Sequence, residues 1–122
     1  MTIPLILSLA CMGFAAQGLP FTDEEAVKAI VGEAASCPGA MLAIAGAIRN
    51  RGTLKGVQGA TAGHSKNETE FTFAIARSAW AVSRTNDVSK GATHWFSGKV
   101  KPGWASEMKT TAKVGPFTFL KP

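Results

Sequence analysis

The sequence has no tyrosine, two histidines and two cysteines in 122 residues, and each scarcity removes a class of chemistry. Zinc sites take three or four protein ligands. His64 and His94 stand apart, with no Cys or Asp cluster beside either, so no metal and no cofactor is expected. Cys11 falls in an apolar leader, which leaves Cys37 without a partner and gives no disulfide framework. Cys37 then reads as a small apolar residue rather than a nucleophile. Gly-x-Ser-x-Gly, phosphate-loop and dinucleotide fingerprints are all missing. Acids are few: 8 Asp and Glu stand against 13 Lys and Arg, a formal charge of +5. A basic surface favours an anionic partner. The basic residues are spaced singly, as at Lys99, Lys101, Lys109 and Lys113, without the run that marks a nucleic-acid arm, so nucleic acid is not expected as a partner.

What is present suits one domain with a core of its own: 46% of the residues are hydrophobic. Ile3 to Ala16 are almost all apolar and end in the small-residue stretch Gly13-Phe14-Ala15-Ala16. This run is short for a membrane span and resembles the apolar region of a secretory signal, although no Lys or Arg precedes it. The expected organisation is a signal peptide over 1–16 and one domain over 17–122. That domain is expected to be monomeric, without stable membrane insertion, and secreted, periplasmic or at the cell wall.

Thr22 and Glu25 have capping-box spacing, and Asp23, Glu24 and Glu25 suit the positive end of a helix. Ala26, Val27, Ile30, Val31 and Ala34 give that helix an apolar face. Pro38 fits the first turn of a second helix, with Met41, Ile44, Ala45 and Ile48 on one face and Gly52 as its stop. Residues 53–70 lack periodicity and read as a loop with room for a turn of helix. A third helix is expected with Phe71, Ala74, Ile75, Ala79 and Val82 on one face. Ala92–Phe96 and Val114–Leu120 read as two strands, paired antiparallel, with a turn or short helix over Pro102–Met108. The fold class is α+β, helices followed by a short antiparallel sheet.

Among the acids, Asp23, Glu24 and Glu25 are explained by capping, and Asp87 follows Asn86 in a turn signal. Glu33 differs: it sits near the end of an apolar helix beside Gly32, whose missing side chain leaves room for a substrate to approach. A carboxyl group walled by apolar side chains holds its proton more tightly, as a general acid requires. In such a wall Glu33→Gln would be nearly neutral for folding. From the pattern alone, a surface Glu at the rim of an amphipathic helix is the commoner outcome. Trp80, Trp95 and Trp104 suit sugar-stacking walls or a core.

Two blocks of sequence go further. The first is Gly32-Glu33-Ala34, followed by an apolar helix ending in Arg49-Asn50-Arg51. The second is Gly91-Ala92-Thr93-His94-Trp95-Phe96, then Pro102-Gly103-Trp104-Ala105, then Gly115-Pro116-Phe117-Thr118-Phe119. In this order they resemble the SleB/CwlJ-like cell wall hydrolase family, the catalytic domain of spore cortex-lytic enzymes. The chain departs from that pattern where Ala35-Ser36-Cys37 follows Gly-Glu-Ala, and at Phe117, where His is usual.

The resemblance implies a lysozyme-like or lytic-transglycosylase-like domain whose partner is the glycan strand of peptidoglycan, with Glu33 as the catalytic acid. Thr93 and His94 match residues expected to line the cleft, with Trp95 and Trp104 as further substrate-binding residues. The implied reaction is protonation of a glycosidic oxygen by Glu33 and cleavage through an oxocarbenium-like state. With no second carboxylate at a paired position, the sugar's own 6-hydroxyl is expected to finish the reaction; Asp87 and Glu70 are the first suspects for a second acid if one is used. The alternatives are an N-acetylmuramoyl-L-alanine amidase, which needs metal ligands, and an inactive secreted peptidoglycan-binding relative.

Overall fold

The computed structural model describes residues 18–122; the expected leader and Cys11 lie outside the described residues. Three helices precede a small antiparallel sheet, so the α+β class read from the sequence is the class observed. Helix α1 (Asp23–Ala34) starts at the expected capping box: the Glu25 N–H donates to Thr22 Oγ1, and the Thr22 N–H donates to the Glu25 carboxylate. A 3-10 turn (Pro38–Ala40) leads into helix α2 (Met41–Arg51), which Gly52 ends at φ 76°. There the left-handed backbone favours glycine.

Helix α2 is the middle of the core. Met41 and every residue from Ala43 to Ile48 are buried, not only the single face its periodicity suggested. Four of these are Ala or Gly, and small side chains let neighbours approach from several sides. Helix α3 (Glu70–Val82) packs on both α1 and α2. Its buried face differs from the expected one. Ala76, Ala79 and Trp80 are buried, Phe73 packs against the core, and Phe71 is 75% exposed. Trp80, the largest side chain of the helix, sets the rotation of α3; that rotation brings Phe73 against the core and leaves Phe71 outside it. Trp80 donates its Nε1–H to Asp23 and lies under the Arg49 guanidinium, 3.6 Å from the ring centroid.

The sheet has three strands, β1 (His94–Ser97), β2 (Lys109–Val114) and β3 (Phe117–Lys121), in the order β1-β3-β2. The expected pairing of the first and last segments holds, with Trp95 opposite Phe119 and His94 opposite Leu120. Strand β2 was not expected. It alternates weakly, contains two lysines and is irregular between Thr110 and Ala112, where Thr111 turns its hydroxyl to the Ser89 carbonyl. The 53–70 loop holds two 3-10 turns, Gln58–Thr61 and Gly63–Asn67, and the first lies against α1.

That contact is unusually close. A Cβ on Gly32 would overlap the Gly59 carbonyl, and a Cβ on Gly59 would overlap the backbone of α1 at Ala29 and Glu33. Gly32 therefore admits a loop of the protein itself, not a substrate. Gly32→Ala should destabilise the fold by about 1–3 kcal/mol, as overpacking does. Denaturant unfolding checks this: a midpoint equal to wild type would show that the two backbones can separate at no cost.

Candidate functional site

Glu33 lies in the last turn of α1, half-buried, where the helix, the Gln58–Thr61 turn and strand β1 converge. Each carboxylate oxygen accepts one N–H. Trp95 Nε1 donates to Oε1 at 2.8 Å, and the Gly59 backbone N–H donates to Oε2 at 2.5 Å. The apolar wall expected around Glu33 is thus replaced by two aimed donors. Each oxygen keeps further lone-pair capacity directed away from its partner.

This carboxylate opens into a cleft of about 640 Å³, within the ~300–1,000 Å³ of small-ligand pockets. Four of the five residues singled out from the sequence meet here: Glu33, His94, Trp95 and Trp104 all line it. Thr93 does not. Its hydroxyl bonds His94 Nδ1 at 2.8 Å, and its carbonyl accepts from Arg51, so Thr93 acts behind the wall. Trp95 shares a face with Phe119 and points toward the helices, whereas His94 and Phe96 pack on Trp104 at ring separations of 5.7 and 6.3 Å. Trp104 is 52% exposed and forms the outer rim. Trp80 lies away from the cleft, among the helices.

Arg51, Gln58 and Phe117 also line the cleft and are not singled out as site residues by the sequence. Arg51 spans three segments: Nη1 donates to the Thr93 carbonyl and Nη2 to the Lys55 carbonyl. The signal for it is the Asn-Arg ending of α2. Neither suspected second acid reaches the cleft. Glu70 pairs with Arg77 on the surface. Asp87 accepts from Asn50, from the Ser89 N–H and hydroxyl, and from the Gly91 N–H. Burial raises the proton affinity of Asp87, but these donors outweigh it and hold the carboxyl below its ordinary range. Glu33 is the one carboxylate among the residues lining the cleft. Among the described residues no three of His, Cys, Asp and Glu come together as a metal site. Set against family models, curated proteins and solved structures, the chain matches none of them.

Two measurements follow from this geometry. Gln at position 33 has one acceptor oxygen for two donors, so Glu33→Gln should cost about 1–3 kcal/mol of stability through the unmet donor. Trp95→Phe removes one donor and should return part of that loss, so the double-variant cycle is non-additive in the rescuing direction. Additive losses in thermal unfolding would mean the two hydrogen bonds do not hold Glu33. His94 gives the second. Burial, and then the nearby Arg51 charge, hold its imidazole below the ordinary value of about 6.5. The folded state then binds fewer protons than the unfolded one, so this contribution to stability is full above that value and is lost as pH falls through the folded one. Below about pH 6.5, the ordinary value, His94→Gln should flatten the rise of unfolding free energy with pH. An unchanged slope would remove His94 as its source.

Proposed function

We propose that this chain is a peptidoglycan-cleaving glycosidase in which Glu33 serves first as acid and then as base. The observation that carries the reading is the Glu33 carboxylate itself: it is the one acid lining an aromatic cleft, and each oxygen is fixed by a separate N–H donor. These donors fix the plane of the carboxyl group, so its free lone pairs face the cleft in one direction, and a proton is given or taken along that line. Trp95, Trp104 and Phe96 offer aromatic surface to the apolar C–H faces of sugar rings.

The resemblance to the SleB/CwlJ-like cell wall hydrolases gains support from the way its two blocks are joined. Asn50 Nδ2 donates to the Ala92 carbonyl and Arg51 Nη1 to the Thr93 carbonyl, so the Asn-Arg ending of α2 holds the Gly-Ala-Thr-His segment directly. These contacts give both pieces of sequence a reason to occur together.

In the proposed reaction, Glu33 in its acid form gives its proton to the glycosidic oxygen after N-acetylmuramic acid. The C1–O bond breaks, and the leaving sugar departs with that proton as a free hydroxyl. Positive charge spreads over C1 and the ring oxygen. The 6-hydroxyl of the same muramic acid then bonds to C1, and its proton returns to the Glu33 carboxylate. The product is a 1,6-anhydro sugar, and Glu33 is restored. Lacking a second carboxylate in the cleft lining to activate water, the site favours this closure over hydrolysis. Export through the apolar leader would bring the domain to its wall substrate.

Glu33→Gln should lower the rate of glycan cleavage by at least about 10²- to 10⁴-fold, the worth of a positioned general acid. Turbidity loss of purified peptidoglycan measures the rate, and mass analysis of the fragments identifies the ends. Wild-type fragments should be lighter by one water than those with reducing ends. Reducing ends would replace the closure step with hydrolysis. A folded Glu33→Gln protein that digests peptidoglycan at the wild-type rate would sink the mechanism.

A further inference from the structure

A second groove, of about 700 Å³, runs beside the Glu33 cleft and shares Phe96 and Phe117 with it as common walls. Its lining differs in charge. Lys99, Lys101 and Lys113 line it, and no carboxylate does. All three lysines are exposed, and among the described residues none is paired: the ion pairs found there are both made by Arg77. The backbone beneath is anchored, because the Gly98 N–H donates to the Pro116 carbonyl and ties the loop after β1 to the β2–β3 turn. Lys113 itself lies on β2 opposite Thr118. Nearby, Lys109 stands opposite Lys121 across the same strand pair, an arrangement of like charges that costs stability. An uncompensated positive field continuous with a binding cleft attracts an anionic part of whatever occupies that cleft.

We propose that this lysine groove is a subsite for the anionic substituents carried by the glycan strand while its sugar backbone lies in the Glu33 cleft. The inference rests on the glycosidase reading and adds to it which part of the substrate is recognised. The shared chemistry is a carboxylate or phosphate that hangs from the strand and takes charge-assisted hydrogen bonds from lysine ammonium groups. Such groups come from two sources, the carboxylates of the stem peptides and the phosphodiesters of attached anionic polymers. Lysine suits this task as a mobile point charge that needs no fixed planar partner. The contacts are exposed, so they act mainly on capture of the substrate and weaken with salt.

The test compares wild type with the triple variant Lys99→Gln, Lys101→Gln and Lys113→Gln, first shown by circular dichroism and thermal unfolding to be folded. Three substrates are cut at low and at high salt: intact wall, wall freed of phosphodiester-linked polymers, and polymer-bearing glycan freed of stem peptides. At low salt the triple variant should raise KM on intact wall by about tenfold with kcat little changed, the combined worth of three exposed ion pairs. The difference should shrink at high salt. Its persistence only where stem peptides remain assigns the groove to their carboxylates, and its persistence only where the polymers remain assigns it to phosphate. An unchanged KM and salt dependence on intact wall would overturn this inference while leaving the glycosidase reading in place. No cleavage by the wild-type protein would overturn both. Binding of wild type to anionic phospholipid vesicles, lost in the triple variant with KM unchanged, would also overturn it and reassign the groove to a membrane surface.

Discussion

The close contact between Gly32 and Gly59 is the constraint on which the cleft depends. Neither position tolerates a Cβ without displacing backbone, because each faces main-chain atoms of the other segment. This approach brings the Gly59 N–H within hydrogen-bonding distance of Glu33, one residue beyond Gly32. Without it the Gln58–Thr61 turn would stand farther from α1, and the carboxylate would lose one of its two fixed partners. The same contact stacks the loop on the helix and gives the otherwise irregular 53–70 stretch a defined place.

The sheet reaches the helices through a different device. Asp87 sits against Gly46 of α2, at a point where any side chain would collide with it, and gathers donors from Asn50, Ser89 and Gly91. Asn50 also binds the Ala92 carbonyl, and Arg51 the Thr93 carbonyl, so the end of α2 holds the residues that lead into β1. Trp95 is thereby carried to Glu33 from the sheet side as Gly59 is from the loop side. Asp87, Asn50 and Arg51 are each committed to more than one partner at once, and these directional bonds fix the register of one layer on the other. The Arg51 Nε alone among these polar atoms is buried without a partner.

Much of the fold was legible because it follows from local chemistry. The Thr22–Glu25 box, the Gly52 stop and the pairing of the His94 and Phe117 segments each depend on residues close in sequence or on simple alternation. Strand β2 was hidden because Lys-Thr-Thr-Ala-Lys-Val is an edge strand with an irregular register, so its pattern carries little burial. The rotation of α3 is not legible in the sequence because an alanine-rich helix has several comparably apolar faces, and Trp80 decides among them only in three dimensions. At the site, Glu33, His94, Trp95 and Trp104 were legible from short motifs, and they do converge. Gly59 was not, since nothing in a glycine-rich loop marks one backbone N–H as the partner of a distant acid. Asp87 shows the converse: its sequence signal was a turn, and its donors make it a structural anchor rather than a second acid.

The cleft is built unevenly, and the unevenness follows from what supports each side. On the Glu33 side every polar contact ends on a helix, a backbone N–H or a ring held by Phe119. Precision there costs little because the supporting atoms are already fixed by core packing. On the far side, Trp104 sits on a short turn, leans on His94 and Phe96 and leaves half its surface in solvent, with Val100 more exposed still. A rim of that kind can shift without disturbing Glu33, because its contacts are apolar and non-directional. His94 belongs to both sides: it packs at a tilt against Trp104 and bonds Thr93, whose carbonyl accepts from Arg51. Burial first, and then the positive charge of Arg51, favour a neutral imidazole at that position. The rim is therefore joined to the floor through one ring, which touches Trp104 on one side and the Thr93 hydroxyl on the other.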